Sequence, residues 1–384
     1  MLNFYLAAFL ADLALGAVLL SIPLFLIYMF GATSLILGMF GAVGALVYSL
    51  GVIVVGRMAD RFNRRTILLL GCALFAATYL VLPFLKTTAQ ILTVYIFGSA
   101  SMAMFWPVLQ SWLSQGLNKH NLMRSLTIFN VSWCGGLMLG FLSAGFLFSF
   151  NPKLPFALGV VLIACAATLL YKQPLKPAAL ADAGAAAEPE EKRPANYKAF
   201  LYAAWCANFV SWFIIGIMRN LFPKLGTELG FSTGVIGTLI FIITLAQTVM
   251  FFVLGKTHRW HYKLGLLVLF QAFAMIGLLA VYFFSNAATL GGAMILLGLS
   301  AGMTYFSSIF YSLYGSTAKG KHSGIHEAFL GTGGLFGPLA GGLLAAGIGI
   351  RAPYIAAAVV VIVAIAAETV LIKIGTMDRS GRKK

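Results

Sequence analysis

Three acids, Asp12, Glu327 and Glu368, sit inside long apolar runs, while every other Asp and Glu lies in a polar stretch. A carboxyl in apolar surroundings could hold a proton, attract a cationic solute or hydrogen-bond a neighbouring helix end. If those runs cross a bilayer, each charge costs about 2.5–3.5 kcal/mol on insertion scales, which makes it a candidate for function. Asp12 lies about eight residues into its run, roughly 12 Å along a helix. His326 adjoins Glu327, and that pair could shuttle a proton. Against this, an acid near a helix N-terminus also complements the helix dipole. Glu368 has Lys373 close by and reads as structural. Asn208, Ser211, Trp212 and Arg219 fall on one helical face. Arg219 could bind an anionic group, pair with an acid or snorkel to an interface.

The elements that position these residues follow from composition. The chain has 384 residues, 61% hydrophobic and only 9% charged, against about 25% charged in soluble proteins. Lipid must cover most of its surface. A net charge of +16 would suggest nucleic acid on a soluble protein. Here it fits the Lys and Arg excess of cytoplasmic loops, so no nucleic-acid partner is expected. Runs of about 20 apolar residues mark membrane spans. Twelve occur, at 4–29, 35–56, 66–85, 89–112, 124–149, 154–171, 198–223, 232–255, 264–285, 288–314, 324–347 and 352–375. The first lacks a basic start and a cleavage site and reads as a span, not a signal. With both termini inside, all of the 26 Lys and Arg except Lys86, Lys153, Arg219, Lys224 and Arg351 fall on the cytoplasmic side. Residues 172–197, rich in Pro, Ala and charge, read as a cytoplasmic linker. The expected plan is a six-helix bundle at 1–171, the linker, a second bundle at 198–375, and a cytoplasmic tail at 376–384. Cys72, Cys134, Cys165 and Cys206 form no CxxC pair and read as small buried hydrophobes. No cofactor or metal is expected. An enzyme would want an HExxH, GxSxG or paired-aspartate motif, and that reading is set aside. A receptor would want a sizeable soluble domain, and no loop is long enough for one.

The two halves resemble each other. Asp12 overlies Asn208, Gly38 overlies Gly234 and Gly41 overlies Gly237. The basic loop from Gly56 to Arg64 overlies that from Gly255 to Lys263. Gly136, Gly140 and Gly145 overlie Gly333, Gly337 and Gly342. The offsets agree within a few residues. Parallel repeats of this kind build transporters.

The loop Gly56-Arg-Met-Ala-Asp60-Arg61-Phe-Asn63-Arg64-Arg65 resembles the loop 2–3 signature of the major facilitator superfamily, G-x-L-a-D-R-x-G-R-[RK]. Met58 stands for Leu and Asn63 for Gly, and Asn tolerates positive φ, which would preserve the turn. In that family the loop latches the halves in the outward-open state, a gating role that Gly56, Asp60, Arg61 and Arg64 match. Antiporters of the family often carry G-x-x-x-G-P-x-x-G-G on span 5. Here span 5 is degenerate, and span 11 carries the match in Gly333, Gly337, Pro338, Gly341 and Gly342. Small residues and a proline make this a packing and bending element. The span 4 arginine of many proton-coupled members is missing, since Val94 precedes Gly98 at that spacing.

The resemblance implies an all-α membrane protein with twelve transmembrane helices in two pseudo-symmetric six-helix bundles. Its implied partners are a small-molecule substrate, a proton or other coupling ion, and the lipid bilayer. Spans that line the family's cavity would place Asp12, Trp106, Gln110, Asn130, Trp133, Gln247, Tyr305, Ser308 and Tyr311 near substrate. Aromatics with a few polar groups suit a small-molecule site, and each alone also serves helix packing. The function expected is proton-coupled export of an amphipathic compound by alternating access, with Asp12 and Glu327 carrying the proton. Uptake or exchange of a polar or anionic nutrient is the main alternative, with lipid translocation third. A monomer in a bacterial inner membrane is expected.

Overall fold

The computed structural model describes residues 1–59, 62–114, 119–173, 196–313 and 319–380. Within them run α1 (Leu2–Phe30), α2 (Ser34–Ala59), α3 (Arg64–Val81), α4 (Thr88–Ser114), α5 (Lys119–Phe150), α6 (Leu154–Tyr171), α7 (Tyr197–Asn220), α8 (Phe222–Glu228), α9 (Thr233–Gly255), α10 (Leu264–Phe283), α11 (Ala287–Leu313), α12 (Lys319–Gly347) and α13 (Ala352–Ser380). No strand occurs among the described residues. Twelve of these helices are long and apolar enough to cross a membrane, and α8 is the exception. A chain in lipid must satisfy its own backbone polar groups, which helices do internally.

The span boundaries match the sequence reading closely, with a difference after α7. The seventh span was expected to reach residue 223. Instead α7 stops at Asn220, and the short α8 starts with Pro223 in its first turn. Proline cannot donate a backbone N–H, so it ends one helix and opens the next. Helix α13 continues to Ser380, into residues expected to form the tail. Most of the expected linker, 174–195, lies outside the described residues, as do 381–384.

The chain divides into two compact units. One comprises Met1–Ala32, Val43–Ala187 and Gly230–Phe241; the other comprises Thr33–Ala42, Glu188–Leu229 and Ile242–Lys384. In the first, α1 packs on α5 and α6, and α3 packs on α4 and α6. In the second, α7 packs on α11, α12 and α13, and α10 packs on α11 and α13. Both units use glycine for their tightest crossing. A Cβ on Gly136 of α5 would sit 2.1 Å from the Phe9 carbonyl oxygen of α1. A Cβ on Gly337 of α12 would sit 2.1 Å from the Phe213 carbonyl oxygen of α7, and one on Gly333 2.4 Å from that of Phe209. Backbone meets backbone here, so no side chain fits. Pro338 lies in the same crossing, its Cδ 2.7 Å from where a Cβ on Gly216 of α7 would be. For Gly136 with Gly333, and Gly140 with Gly337, the equivalences read from the sequence are equivalences of packing.

Two local expectations are corrected. Asn63 does not take a left-handed turn: its φ is −62°, and its side chain caps α3 by accepting from the Arg65 N–H at 2.9 Å. Asn serves well at this position because its oxygen satisfies an N–H that the first helical turn leaves free. The positive φ falls on its repeat mate Tyr262, at 54°. The cysteines are not uniformly buried: Cys72 and Cys134 are, Cys206 is half-buried and Cys165 is exposed.

Arg351, just before α13, donates to the carbonyls of Val281, Tyr282 and Phe284 and to the Ser285 hydroxyl. It therefore covers the carbonyls that α10 leaves unpaired at its end, where a cation also suits the helix dipole. Arg351→Ala is expected to cost about 1–3 kcal/mol, read as a lower melting temperature. Arg351→Lys should recover only part of that, since an ammonium lacks the planar fork.

Candidate functional site

The second unit holds a polar cluster inside an apolar helix bundle. Helix α7 contributes Asn208 and Ser211, both buried, with Trp212 and Arg219 half-buried on the same face. Helix α11 contributes Thr304, Tyr305 and Ser308, and α12 contributes His326, which has no exposed surface. The Ser211 and Thr304 hydroxyls meet at 2.7 Å. The Ser308 hydroxyl lies 2.8 Å from His326 Nδ1, and Asn208 Nδ2 lies 3.5 Å from the same atom. The donor and acceptor roles at this ring follow its tautomer; with Nδ1 accepting from Asn208 and Ser308, the proton sits on Nε2.

That tautomer leaves a donor without a partner, because His326 Nε2 has none. Asn208 Oδ1 has none either, and it can only accept. Each such buried group costs about 1–3 kcal/mol. Native proteins keep few of them, and each calls for an explanation such as a functional role.

Aromatic rings wall the cluster. Tyr305 meets the His326 ring edge-on at 5.1 Å and packs against Trp212 at 6.4 Å and Phe251 of α9 at 5.5 Å. The Arg219 guanidinium carbon lies 5.5 Å from the centre of the Trp212 ring, a cation–π distance. Arg219 therefore lies over an aromatic face. Buried Gln247 lies on α9 one turn before Phe251. Glu327, beside His326, keeps uncovered surface although protein surrounds it on most sides. It is the ninth residue of α12, beyond the first turn where the dipole acts, so dipole pairing does not explain it.

Tyr311 belongs to a different cluster: its carbonyl accepts from the Tyr197 hydroxyl at 2.7 Å, its hydroxyl accepts from the Tyr262 N–H at 2.8 Å, and Trp260 packs nearby. It ties the α9–α10 turn to α7 and α11. In the first unit, Asp12 is buried at 3% exposure. Trp106 packs edge-on against Phe129, Asn130 accepts from Trp133 Nε1 at 3.0 Å, and Gln110 is exposed. Of the expected gating residues, Asp60 and Arg61 lie outside the described residues, Gly56 falls near the end of α2, and Arg64 opens α3.

Sequence reasoning missed part of this cluster. Ser300, Thr304, Ser308 and Ser312 recur every four residues along α11, a hydroxyl stripe on one face that spacing alone reveals. It also passed over Gly298-Leu-Ser300-Ala-Gly302, which reads as G-x-S-x-G. That motif needs a strand–turn–helix elbow, and Ser300 sits buried inside α11. Its glycines serve packing: a Cβ on Gly298 would lie 2.2 Å from the Ile243 carbonyl oxygen of α9.

A family model described as Major Facilitator Superfamily matches residues 4–318. Among solved structures, the nucleoside transporter NupG superposes with a TM-score of 0.75 at 14% identity, covering 97% of this chain and 98% of that one. A bacterial homologue of the human lysosomal transporter Spinster, inward-facing and occupied, gives 0.75 at 14%, covering 97% and 96%. A D-xylose–proton symporter gives 0.73 at 14%, covering 96% and 97%. At these identities the likeness is one of fold. No curated protein matches at a significant level.

Proposed function

The chain belongs to the Major Facilitator Superfamily, and from that premise we propose a secondary transporter that moves a small polar, ring-bearing solute by alternating access. The observation that carries this reading is the pair of unsatisfied atoms, His326 Nε2 and Asn208 Oδ1, beside the Trp212–Tyr305 wall. A donor and an acceptor beside aromatic faces suit a solute with hydroxyl or amide groups on a ring. Both atoms are buried in this conformation, so the solute reaches them when α7, α11 and α12 part. Two of the similar folds carry a nucleoside and a pentose by name, which accords with this class.

Glu327 is the coupling group in this reading. It is exposed beside His326, whereas Asp12 is closed off. A carboxyl that changes partner between water and solute can carry one proton per cycle. Glu327→Gln is expected to keep solute exchange in proteoliposomes but lose accumulation driven by an imposed pH gradient. A Glu327→Gln protein that still concentrates solute sinks the assignment, and the same experiment on Asp12→Asn then decides whether that acid takes the role.

Export of an amphipathic cation is the second reading, favoured by an exposed carboxylate next in the chain to His326, whose ring Tyr305 meets. It predicts stabilisation by lipophilic cations in place of polar ring compounds. Both termini are cytoplasmic on the charge asymmetry of the loops. The short connections favour a bacterial inner membrane, and the transporter works as a monomer.

A further inference from the structure

A second buried polar cluster lies outside the His326 wall, where α7, α10 and α13 meet. Glu368 of α13 has no exposed surface, and Gln271 of α10 is 2% exposed. Gln271 Nε2 donates to Glu368 Oε2 at 2.6 Å, and the Cys206 thiol of α7 lies against the same carboxyl. The partner oxygen of each group, Glu368 Oε1 and Gln271 Oε1, is buried without a hydrogen bond.

An ionised Glu368 could not repair this. Carboxylate and amide oxygens only accept, so both would remain buried acceptors without a donor. One proton on the carboxyl satisfies both oxygens at once. Oε1–H then donates to Gln271 Oε1 while Gln271 Nε2 donates to Oε2, closing a cyclic acid–amide pair. We propose that Glu368 and Gln271 form a proton-binding site that joins α13 to α10, separate from the solute site.

The groups shown against this carboxyl are an amide and a thiol, and neither is a cation. From α7 the facing titratable group is the Cys206 thiol. On α10 the remaining titratable residue is Tyr282, eleven positions away and roughly 16 Å along the helix. On α12, His322 faces the Trp205 ring, His326 faces Ser308 and Tyr305, and Glu327 is exposed. On α13 itself, Lys373 is exposed five residues on, and Tyr354 lies fourteen positions back. Loss of the proton would set the carboxylate against the Gln271 carbonyl oxygen and loosen α13 from α10.

Infrared spectra of the purified full chain across neutral and alkaline pH test this. A C=O band of a protonated carboxylic acid is expected at pH 7, lost in Glu368→Gln. Gln resembles the neutral acid in shape, so that variant should melt at the wild-type temperature at pH 7. Hydrogen exchange in α10 and α13 should rise at alkaline pH in the wild type, and at the same pH less in Glu368→Gln. Should Glu368→Gln fail to fold, Gln271→Leu serves: the carboxylic-acid band should move to higher frequency as its hydrogen bonds are lost. A neutral-pH spectrum in which Glu368→Gln removes only carboxylate bands overturns the proposal, as does an acid band unmoved in Gln271→Leu.

Discussion

His326→Ala should lower kcat/KM for the transported solute by about 100-fold while leaving a folded protein. The substitution removes the donor that the solute would meet and strips Ser308 and Asn208 of their shared partner. A lost hydrogen bond to a polar solute is worth about 0.5–1.5 kcal/mol, and the solute group then left buried without a partner adds about 1–3 kcal/mol. A net loss of about 3 kcal/mol corresponds to roughly two orders of magnitude. Initial rates of solute exchange in proteoliposomes measure this, with thermal melting as the control for folding. Rates within a few-fold of wild type would mean that His326 merely pins α11 to α12.

The second large effect is on folding. Gly337→Ala is expected to eliminate most folded protein, because the added methyl carbon would lie 2.1 Å from a backbone oxygen of α7. Overpacking typically costs about 1–3 kcal/mol when side chains can yield. Here Gly333, four residues earlier, meets the same helix backbone, so α7 cannot shift at one point alone. Gly265→Ala is the control, since no atom lies within 4 Å of its new carbon. Size-exclusion profiles in mild detergent should show a monodisperse peak for Gly265→Ala and aggregate for Gly337→Ala. Equal peaks would contradict the glycine-lined crossing.

The sequence made the spans legible because hydrocarbon demands long apolar helices, and that demand is written in every residue. The repeat was legible for a related reason. Gly136, Gly140, Gly333 and Gly337 are fixed by backbone contact, which leaves no freedom to replace them. Less was legible where a residue's role depends on its partner. Asn63 and Tyr262 are equivalent in the repeat, yet one caps a helix and the other takes the positive φ. The Asn208, Trp212 and Arg219 face was readable from helical spacing, but their meeting with Ser308, Tyr305 and His326 required the packing of α7, α11 and α12. Glu368 was visible as a charge in a span. Its pairing with Gln271, distant in the chain, was not.

The central claim is that the second unit takes a polar, ring-bearing solute against the His326 wall. Thermal stabilisation of the purified protein by a panel of nucleosides, sugars, amino acids, organic anions and lipophilic cations tests it most directly. A ligand that binds only the folded state raises the melting temperature by mass action. Stabilisation by a nucleoside or sugar, lost in His326→Ala, is the predicted result. Stabilisation by lipophilic cations alone, unchanged in His326→Ala, would contradict it.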